Sequence, residues 1–214
     1  MTARRPHDSV RRSYDAVAQD YGDRLDDELR YKPFDRAILA ALVEQTEPAT
    51  TIADVGCGPG HVAAWLAGHG AASVGFDLSP AMVETARRLH PEVPVLEGDL
   101  LSLPAGDGEF GAVVALYSII HLAPEERPLA FGELLRVLRP RGLLLVSFHV
   151  GTEVSHRDEW WGHDVDIDFR FLEPTVIVAE LEGVGFALEL AAERVPYPEE
   201  AATKRAYLLA RRPA

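Results

Sequence analysis

Cysteine is almost absent from this 214-residue sequence, in which Cys57 is the one thiol. A single cysteine excludes an internal disulfide framework and fits a reducing compartment. Apolar runs long enough to cross a bilayer are also missing, and no charged-then-apolar leader precedes the shorter ones. We therefore expect a cytoplasmic protein that has no membrane partner.

Positive charge is scarce as well, with 21 Lys and Arg against 34 Asp and Glu and a net charge of −13. This balance argues against a broad nucleic-acid-binding face, because phosphate contacts need clustered cations. The exception is a basic cluster, Arg4, Arg5, Arg11 and Arg12, which we interpret as a solvated N-terminal arm. The composition favours a small-molecule partner, no nucleic acid, and either a monomer or a homodimer.

The most informative segment is a glycine-rich turn between a short strand and a helix. Residues 51–55 form the strand, and glycine follows at positions 56, 58 and 60. Only glycine lets a backbone bend this tightly and leave an open surface for a ligand. A dinucleotide fingerprint requires its third glycine at the position of His61. Asp54 adds a negative charge that suits a cationic ligand and repels a pyrophosphate.

Strand and helix signals alternate along the chain, as a doubly wound α/β sheet requires. Ser79-Pro80 and Pro124 mark helix starts, and residues 8–47 contain two amphipathic helices. Residues 150–172, rich in Trp, His and Asp, interrupt the sheet and are predicted to be a long functional loop. The predicted strands are 51–55, 73–77, 93–96, 110–117, 142–149, 186–194 and 204–211.

Three motifs now stand in register: the segment from Asp54 to Gly60, the strand-ending Asp77, and Glu97-Gly98-Asp99-Leu100. Together they resemble the class I S-adenosylmethionine-dependent methyltransferases of the small-molecule type. The resemblance implies an α/β fold with a seven-stranded, mostly parallel sheet of order 3-2-1-4-5-7-6, whose last strand is antiparallel. It also implies an N-terminal helical cap over residues 1–48. A Rossmann-like domain would follow over 49–214, with the insertion 150–172 forming part of the acceptor site.

The resemblance further implies S-adenosyl-L-methionine as cofactor and assigns residues to it by position. The glycine loop would lie under the methionine part and the ribose, Asp77 would bind the ribose hydroxyls, and Asp99 would accept from the adenine amino group. Gly111 and Ile120 depart from the pattern of many relatives, which have Asp and His there. The predicted cofactor-binding residues are Tyr21, Asp54, Gly56, Gly58, Gly60, Asp77, Leu78, Met82, Asp99, Leu100 and Leu116.

The acceptor side is less specific. Histidine titrates near neutrality, which makes His121, His149 and His163 candidate general bases. Tyr14, Tyr117, Trp160 and Trp161 are candidate substrate-binding residues. The adjacent tryptophans are equally compatible with packing, and Tyr14 also fits an aromatic stripe on an amphipathic helix. The Asp-rich run after His163 contains possible metal ligands, but no paired spacing completes a site, so no metal is predicted.

Methyl transfer is an in-line displacement on a carbon that the cofactor has already activated, so the protein must chiefly hold the acceptor in line. Orientation contributes roughly 7–11 kcal/mol, whereas a general base adds about 10²–10⁴-fold. A base is therefore optional, and the attacking atom (O, N, S or C) stays open. Two alternatives remain: a nicotinamide-dependent oxidoreductase, and a non-catalytic sensor or scaffold subunit that only binds the cofactor.

Overall fold

The short apolar runs between glycine and proline turns become the strands of one central sheet. The computed structural model describes residues 7–214. Its strands are β1 Thr51–Val55, β2 Ala72–Asp77, β3 Val95–Glu97, β4 Phe110–Leu116, β5 Leu138–His149, β6 Val154–Trp160, β7 His163–Arg170, β8 Ala187–Arg194 and β9 Arg205–Arg211.

Helices connect the strands and cover both faces of the sheet. They are α1 Asp8–Leu25, α2 Pro33–Gln45, α3 His61–Gly68, α4 Pro80–Leu89, α5 Arg127–Val137 and α6 Pro174–Val184, with 3-10 turns at Glu28–Tyr31 and Ile119–His121. The predicted cap of α4 is confirmed, because the Ser79 hydroxyl accepts a hydrogen bond from the Met82 amide at 3.1 Å. None of the helices within residues 7–214 has the length and apolar content to span a bilayer.

The main sheet has seven strands in the order β3-β2-β1-β4-β5-β9-β8. The first five are parallel, and β9 runs antiparallel to both of its neighbours. Because β6 and β7 pair only with each other, this order is the predicted 3-2-1-4-5-7-6. The order reverses between β1 and β4, and ligands of open α/β sheets bind at such a switch point, outside the carboxyl ends of the strands.

Strand β4 shows why the sheet must be covered on both faces. Val113 and Ala115 belong to a core shared with α5 and α6, and Ala112 and Val114 belong to a core shared with α2 and α3. A strand that is apolar on both faces is typical of a parallel sheet between two helix layers. Because both faces are covered, a ligand-binding site can form only at the ends of the strands.

The insertion differs from the prediction, because it forms a β-hairpin rather than a loop. Residues 163–170 alternate apolar and polar side chains, the period-two signal that the loop interpretation overlooked. The strands join through Trp161 and Gly162, whose φ angles are +54° and +85°. Two successive positive φ angles define the turn whose twist matches a hairpin.

Two boundaries are also corrected. Helix α5 begins at Arg127 rather than Pro124, and residues 124–126 form a turn in which the Glu126 carboxylate accepts from the Ala123 amide. Strand β5 begins at Leu138, four residues before its predicted start at 142. Of the basic cluster, Arg11 and Arg12 lie on α1 rather than in an arm, and Arg4 and Arg5 lie outside the described residues.

Candidate active site

A cavity of about 670 Å³ opens at the carboxyl ends of β1, β2, β4 and β5. Its floor is the glycine loop, and α1 and the β6–β7 hairpin form its roof. The volume is within the usual range for a small-molecule site. The predicted residues that line it are Tyr14, Tyr21, Asp54, Gly56, Gly58, Asp77, Leu78, Asp99, Leu100, Leu116, Tyr117, His121, His149, Trp160 and Trp161.

The glycine loop needs glycine for two different reasons. Gly56 has φ +76°, and a Cβ there would lie 2.4 Å from the Ser118 Cβ. Gly58 has φ +53° and faces the open cavity, with Tyr21 the first side chain that a Cβ would meet, at 3.7 Å. A side chain at Gly58 would therefore fill the space left for a ligand.

Gly60 lies in different surroundings from the other two glycines of the loop. It precedes α3 with φ +84°, and a Cβ there would meet Ala86 of α4 at 3.1 Å. It packs helix against helix and does not line the cavity.

Two buried carboxylates stand at the ends of β1 and β2. Asp77 accepts from the amides of Gly58 and Ser79, at 2.8 and 2.9 Å, and burial raises its pKa to about 6. Asp54 accepts from the amide of Ala63 at 3.1 Å, and burial raises its pKa to about 7. Backbone donors hold each acid, and the charge of His61 offsets part of the effect of burial on the pKa of Asp54. A bound cation would favour the ionised forms of both acids further.

Asp99 lies after β3, where its carboxylate accepts from the Leu101 amide at 2.9 Å. The His7 imidazole approaches it at 3.6 Å and approaches Glu126 at 3.2 Å. The hydrogen bond with Asp99 is the largest cause of the raised pKa of His7. His7 lines the cavity, and nothing in the sequence around it predicted this position.

A hydrogen-bonded chain crosses the roof. The Tyr14 hydroxyl lies 2.7 Å from His121 Nε2, and His121 Nδ1 lies 2.8 Å from the Asp168 carbonyl oxygen. A carbonyl can only accept, so Nδ1 carries the hydrogen and Nε2 accepts from the Tyr14 hydroxyl. Burial lowers the pKa of His121 to about 4, so the ring is neutral at pH 7. The chain ties α1 to the 3-10 turn after β4 and to the hairpin.

Aromatic rings fill the rest of the roof. Trp160 contacts Tyr14, Tyr21 and Trp161 with ring centres 5.0–5.8 Å apart. Met82 lies in the same apolar cluster as Trp160 but is completely buried and does not line the cavity. The structure therefore does not bring Met82 to the cavity with the other predicted cofactor-binding residues, because α1 packs over it.

His149 and His163 lie in different surroundings. His149 Nδ1 is 2.8 Å from the Thr203 hydroxyl, and its ring centre is 5.0 Å from that of Tyr117. Burial, followed by the nearby Arg205, lowers the pKa of His149 to about 4. His163 instead binds Asp20 of α1 at 2.9 Å and does not line the cavity. It fastens the hairpin to α1, so its prediction as a base is not supported.

Sequence reasoning missed a charged cluster at the glycine-loop side of the cavity. Glu28 accepts from Lys32 Nζ at 2.8 Å and from His61 Nε2 at 3.1 Å, and all three residues line the cavity. Burial opposes ionisation of Glu28, but the His61 hydrogen bond and the two neighbouring charges hold its pKa at about 2. The signal at His61 was its position, where a dinucleotide fingerprint would have a third glycine.

The cavity is acidic overall. Its lining includes eight Asp and Glu residues against four Lys and Arg residues. This excess favours a cationic ligand and disfavours a pyrophosphate. Within residues 7–214, no group of three His, Cys, Asp or Glu side chains is arranged to hold a metal ion.

Comparison with known proteins agrees with this geometry. Residues 52–142 match a family described as "Methyltransferase domain". Demethylmenaquinone methyltransferase from Beutenbergia cavernae is 35% identical over 145 residues, which are 66% of this chain and 58% of that protein. The chain thus spans little more than half the length of this curated relative.

Solved structures extend the likeness to the whole fold. The 1,6-didemethyltoxoflavin-N1-methyltransferase of Burkholderia thailandensis, with bound S-adenosylhomocysteine, superposes with a TM-score of 0.74 at 20% identity, covering 100% of this chain and 93% of that one. Magnesium protoporphyrin IX methyltransferase from Synechocystis gives 0.74 at 21%, covering 99% of each chain. The chain therefore shares the fold of these two methyltransferases, and its residues 52–142 match the methyltransferase domain family.

Proposed function

We propose that this protein transfers a methyl group from S-adenosyl-L-methionine to a small-molecule acceptor. The observation that carries the proposal is the pair of buried carboxylates, Asp54 and Asp77, on either side of the open glycine loop. The cofactor is a cationic nucleoside, and a cavity with an excess of acidic side chains suits it better than a dinucleotide, which carries a pyrophosphate.

The residues present fit this cofactor in their chemistry. Asp77 would hold the ribose hydroxyls, because two backbone amides fix its carboxylate at the cavity wall. Asp99 would accept from the adenine amino group, and the half-buried Leu78 and Leu100 offer apolar surface for the ring. Gly56 and Gly58 leave the space in which the sugar and methionine parts would lie.

When bound, the cofactor supplies the activated methyl group, and the protein supplies orientation and exclusion of water. The aromatic side chains of Tyr14, Tyr21, Trp160 and Trp161 line the roof of the cavity. Tyr117, with φ +55°, turns the chain at the end of β4 and lines the same space. A strained non-glycine backbone of this kind is typical of functional sites.

Two histidines are candidate proton acceptors for an acceptor that must lose a proton. His121 would act through Tyr14, whose hydroxyl already donates to Nε2, while the Asp168 carbonyl holds Nδ1–H. His149 is anchored to Thr203 through Nδ1, which leaves Nε2 for a ligand. Both rings are neutral at pH 7, so either is able to accept a proton.

Further properties of the protein belong to the same proposal. We infer a cytoplasmic protein, monomeric or homodimeric, that binds no nucleic acid. We also infer that residues 1–48 act as a cap and that the insertion 150–172 contributes to the acceptor site. The contacts of α1 with His121 and with the hairpin support these two roles.

Ligand-induced thermal stabilisation tests the cofactor assignment. We expect S-adenosylhomocysteine to raise the melting temperature and NAD or NADP to leave it unchanged, because ligands that bind only the folded state stabilise it. Stabilisation by a nicotinamide coenzyme alone would make the oxidoreductase the better description.

Transfer of labelled methyl from the cofactor to a metabolite extract tests catalysis. We expect label in a small molecule and none in added RNA or protein. Tight cofactor binding with no labelled product would instead favour the non-catalytic sensor.

A further inference from the structure

The four cationic side chains that line the cavity differ in their surroundings. Three of them form an ion pair with a carboxylate: Arg24, Lys32 and Arg205. The fourth, Arg157 of β6, has no ion pair with any of the residues 7–214. The charge of Arg157 is therefore available to a ligand in the cavity.

The β6–β7 hairpin directs Arg157 towards the cavity. In the register of the hairpin, Arg157 lies opposite Ile167 of β7. Residues directly opposite each other in an antiparallel pair project from the same face. Because Ile167 is buried, with 2% of its surface exposed, this face is the inner face of the hairpin. Arg157 itself is exposed and lines the cavity, so a ligand can reach it.

Aromatic rings flank the Arg157 guanidinium. Its central carbon lies 5.5 Å from the ring centre of Trp160 and 5.3 Å from that of Phe169, and both rings line the cavity. A guanidinium stacks on aromatic faces and is more weakly hydrated than an ammonium. The two rings therefore position the charge of Arg157 and leave its N–H groups for an acceptor of hydrogen bonds.

The neighbouring indole also has a cation over it. The central carbon of the Arg24 guanidinium lies 4.9 Å from the ring centre of Trp161. A cationic ligand that contacted either indole would lie close to one of these guanidinium groups, and like charges repel. The roof of the cavity therefore disfavours a cationic acceptor, although the floor suits a cationic cofactor.

Arg157 also lies close to the hydrogen-bonded chain of the roof. Burial raises the pKa of Tyr14, and the nearby charge of Arg157 opposes this increase. The Tyr14 hydroxyl donates to His121, which is a candidate proton acceptor. An anionic group bound by Arg157 would thus hold an acceptor molecule beside the side chains that could remove its proton.

We propose that the acceptor is a planar aromatic carboxylate and that Arg157 binds its carboxylate group. This inference rests on the proposed function and names its substrate class. A guanidinium offers two parallel N–H groups that match the two oxygens of a carboxylate. The aromatic side chains of the roof offer flat apolar surface to the ring. Arg157 is therefore a specificity-determining residue, which anchors the acceptor in the roof while the cofactor occupies the floor.

Calorimetry on the full chain saturated with S-adenosylhomocysteine tests this substrate class. The probes are 2-naphthoate, 2-naphthamide and 2-naphthylmethylammonium, which have the same ring system and differ in charge. We expect 2-naphthoate to bind about 10-fold more tightly than the amide, because its hydrogen bonds with Arg157 join two charged groups. The ammonium probe should bind most weakly.

Two substitutions of Arg157 assign the preference to this side chain. Arg157→Gln removes the charge, so 2-naphthoate should bind about 10-fold more weakly while the affinity for 2-naphthamide stays within about twofold. Arg157→Lys keeps the charge but loses the planar pair of donors, so its affinity for 2-naphthoate should lie between those of the wild type and Arg157→Gln. Both variants should fold, because the position is exposed.

Arg30→Gln is the matched control. Arg30 is also exposed and lies 5.7 Å from the centre of an aromatic ring, that of Tyr31, but it does not line the cavity. This variant has the same change in net charge as Arg157→Gln and should leave the affinity ratio of 2-naphthoate to 2-naphthamide unchanged.

The outcomes separate two failures. The inference is overturned if the wild type binds the amide or the ammonium probe as tightly as 2-naphthoate, or binds none of the three. It is also overturned if Arg157→Gln keeps the wild-type ratio, or if Arg30→Gln loses as much of it. The proposed function fails at an earlier step, if S-adenosylhomocysteine itself does not bind.

Discussion

The floor and the roof of the cavity are built in different ways. The floor comes from residues 54–60, Asp77 and Asp99, which lie within one stretch of the chain and are held by backbone amides. The roof depends on side chains far apart in sequence: Tyr14 meets His121 across 107 positions, and Asp20 meets His163 across 143. Backbone geometry alone can position the floor, whereas the roof exists only when α1 and the hairpin are docked.

Electrostatics separate the two regions further. In the floor, burial raises the pKa values of Asp54 and Asp77 towards neutrality. In the roof, burial lowers the pKa of His121 to about 4. Burial thus disfavours the charged form in both regions: it raises the pKa values of the carboxyl groups in the floor and keeps His121 neutral in the roof. Changes in the floor should alter cofactor affinity, and changes in the roof should alter turnover.

Tyr14→Phe should give the largest effect on turnover. The substitution keeps the ring but removes the hydroxyl that donates to His121, and general acid–base groups contribute about 10²–10⁴-fold. We expect turnover to fall about 10²-fold while the affinity for S-adenosylhomocysteine changes little. Steady-state kinetics and calorimetry measure the two quantities separately.

Tyr197→Phe is its control. The Tyr197 hydroxyl accepts from the Phe34 amide at 3.2 Å and does not line the cavity. An equal loss of turnover in both variants would mean that Tyr14 acts only through stability.

Asp77→Ala should give the next largest effect, on cofactor affinity. Hydrogen bonds to charged groups contribute about 1–3 kcal/mol, so binding should weaken about 5- to 150-fold. Calorimetry with S-adenosylhomocysteine measures it, and Asp107→Ala, at an exposed aspartate paired with Arg136, serves as control. Unchanged affinity in Asp77→Ala would contradict the ribose assignment.

Asp54→Asn should stabilise the fold while weakening the binding of the cationic cofactor. The folded-state pKa of Asp54 is raised to about 7 from 3.8, so its contribution to stability is present below about pH 4 and is lost as the pH rises through 7. Asparagine does not ionise and so avoids this loss of unfolding free energy, which is at most about 4 kcal/mol because one pKa unit corresponds to about 1.4 kcal/mol.

Urea unfolding at pH 5 and pH 8 measures this difference. The free energy of unfolding of the variant should exceed that of the wild type most at pH 8. At pH 5 the difference between the two free energies should be smaller. A wild type that is the more stable protein at pH 8 would show that Asp54 is ionised and well compensated.

His163→Ala should give the smallest effect. The His163–Asp20 pair is more than one-third exposed on each side and lies outside the cavity, and such pairs contribute little. Turnover and cofactor affinity should stay within about twofold of wild type. A large loss of turnover would restore His163 as a base and would show that the hairpin moves inward during the reaction.

Most of the fold was predictable because its signals are local. The glycine spacing, the acid after β2 and the Ser79 cap each lie within a few residues, and strand order followed from the family resemblance. The hairpin was missed although the alternation of Val165, Ile167 and Phe169 with aspartates was visible. Its Trp-His-Asp composition had suggested a loop, and the period-two pattern proved decisive.

The sequence by itself determined the floor of the site, because a chain with glycine at 56 and 58 and acids at strand ends has few ways to fold there. Only the tertiary structure decided which distant side chains meet. It buried Met82 under α1, turned His163 towards Asp20, and brought Glu28 to His61. These outcomes depend on how α1 and the hairpin dock on the sheet, and side-chain contacts across more than thirty residues leave no periodic trace in the sequence.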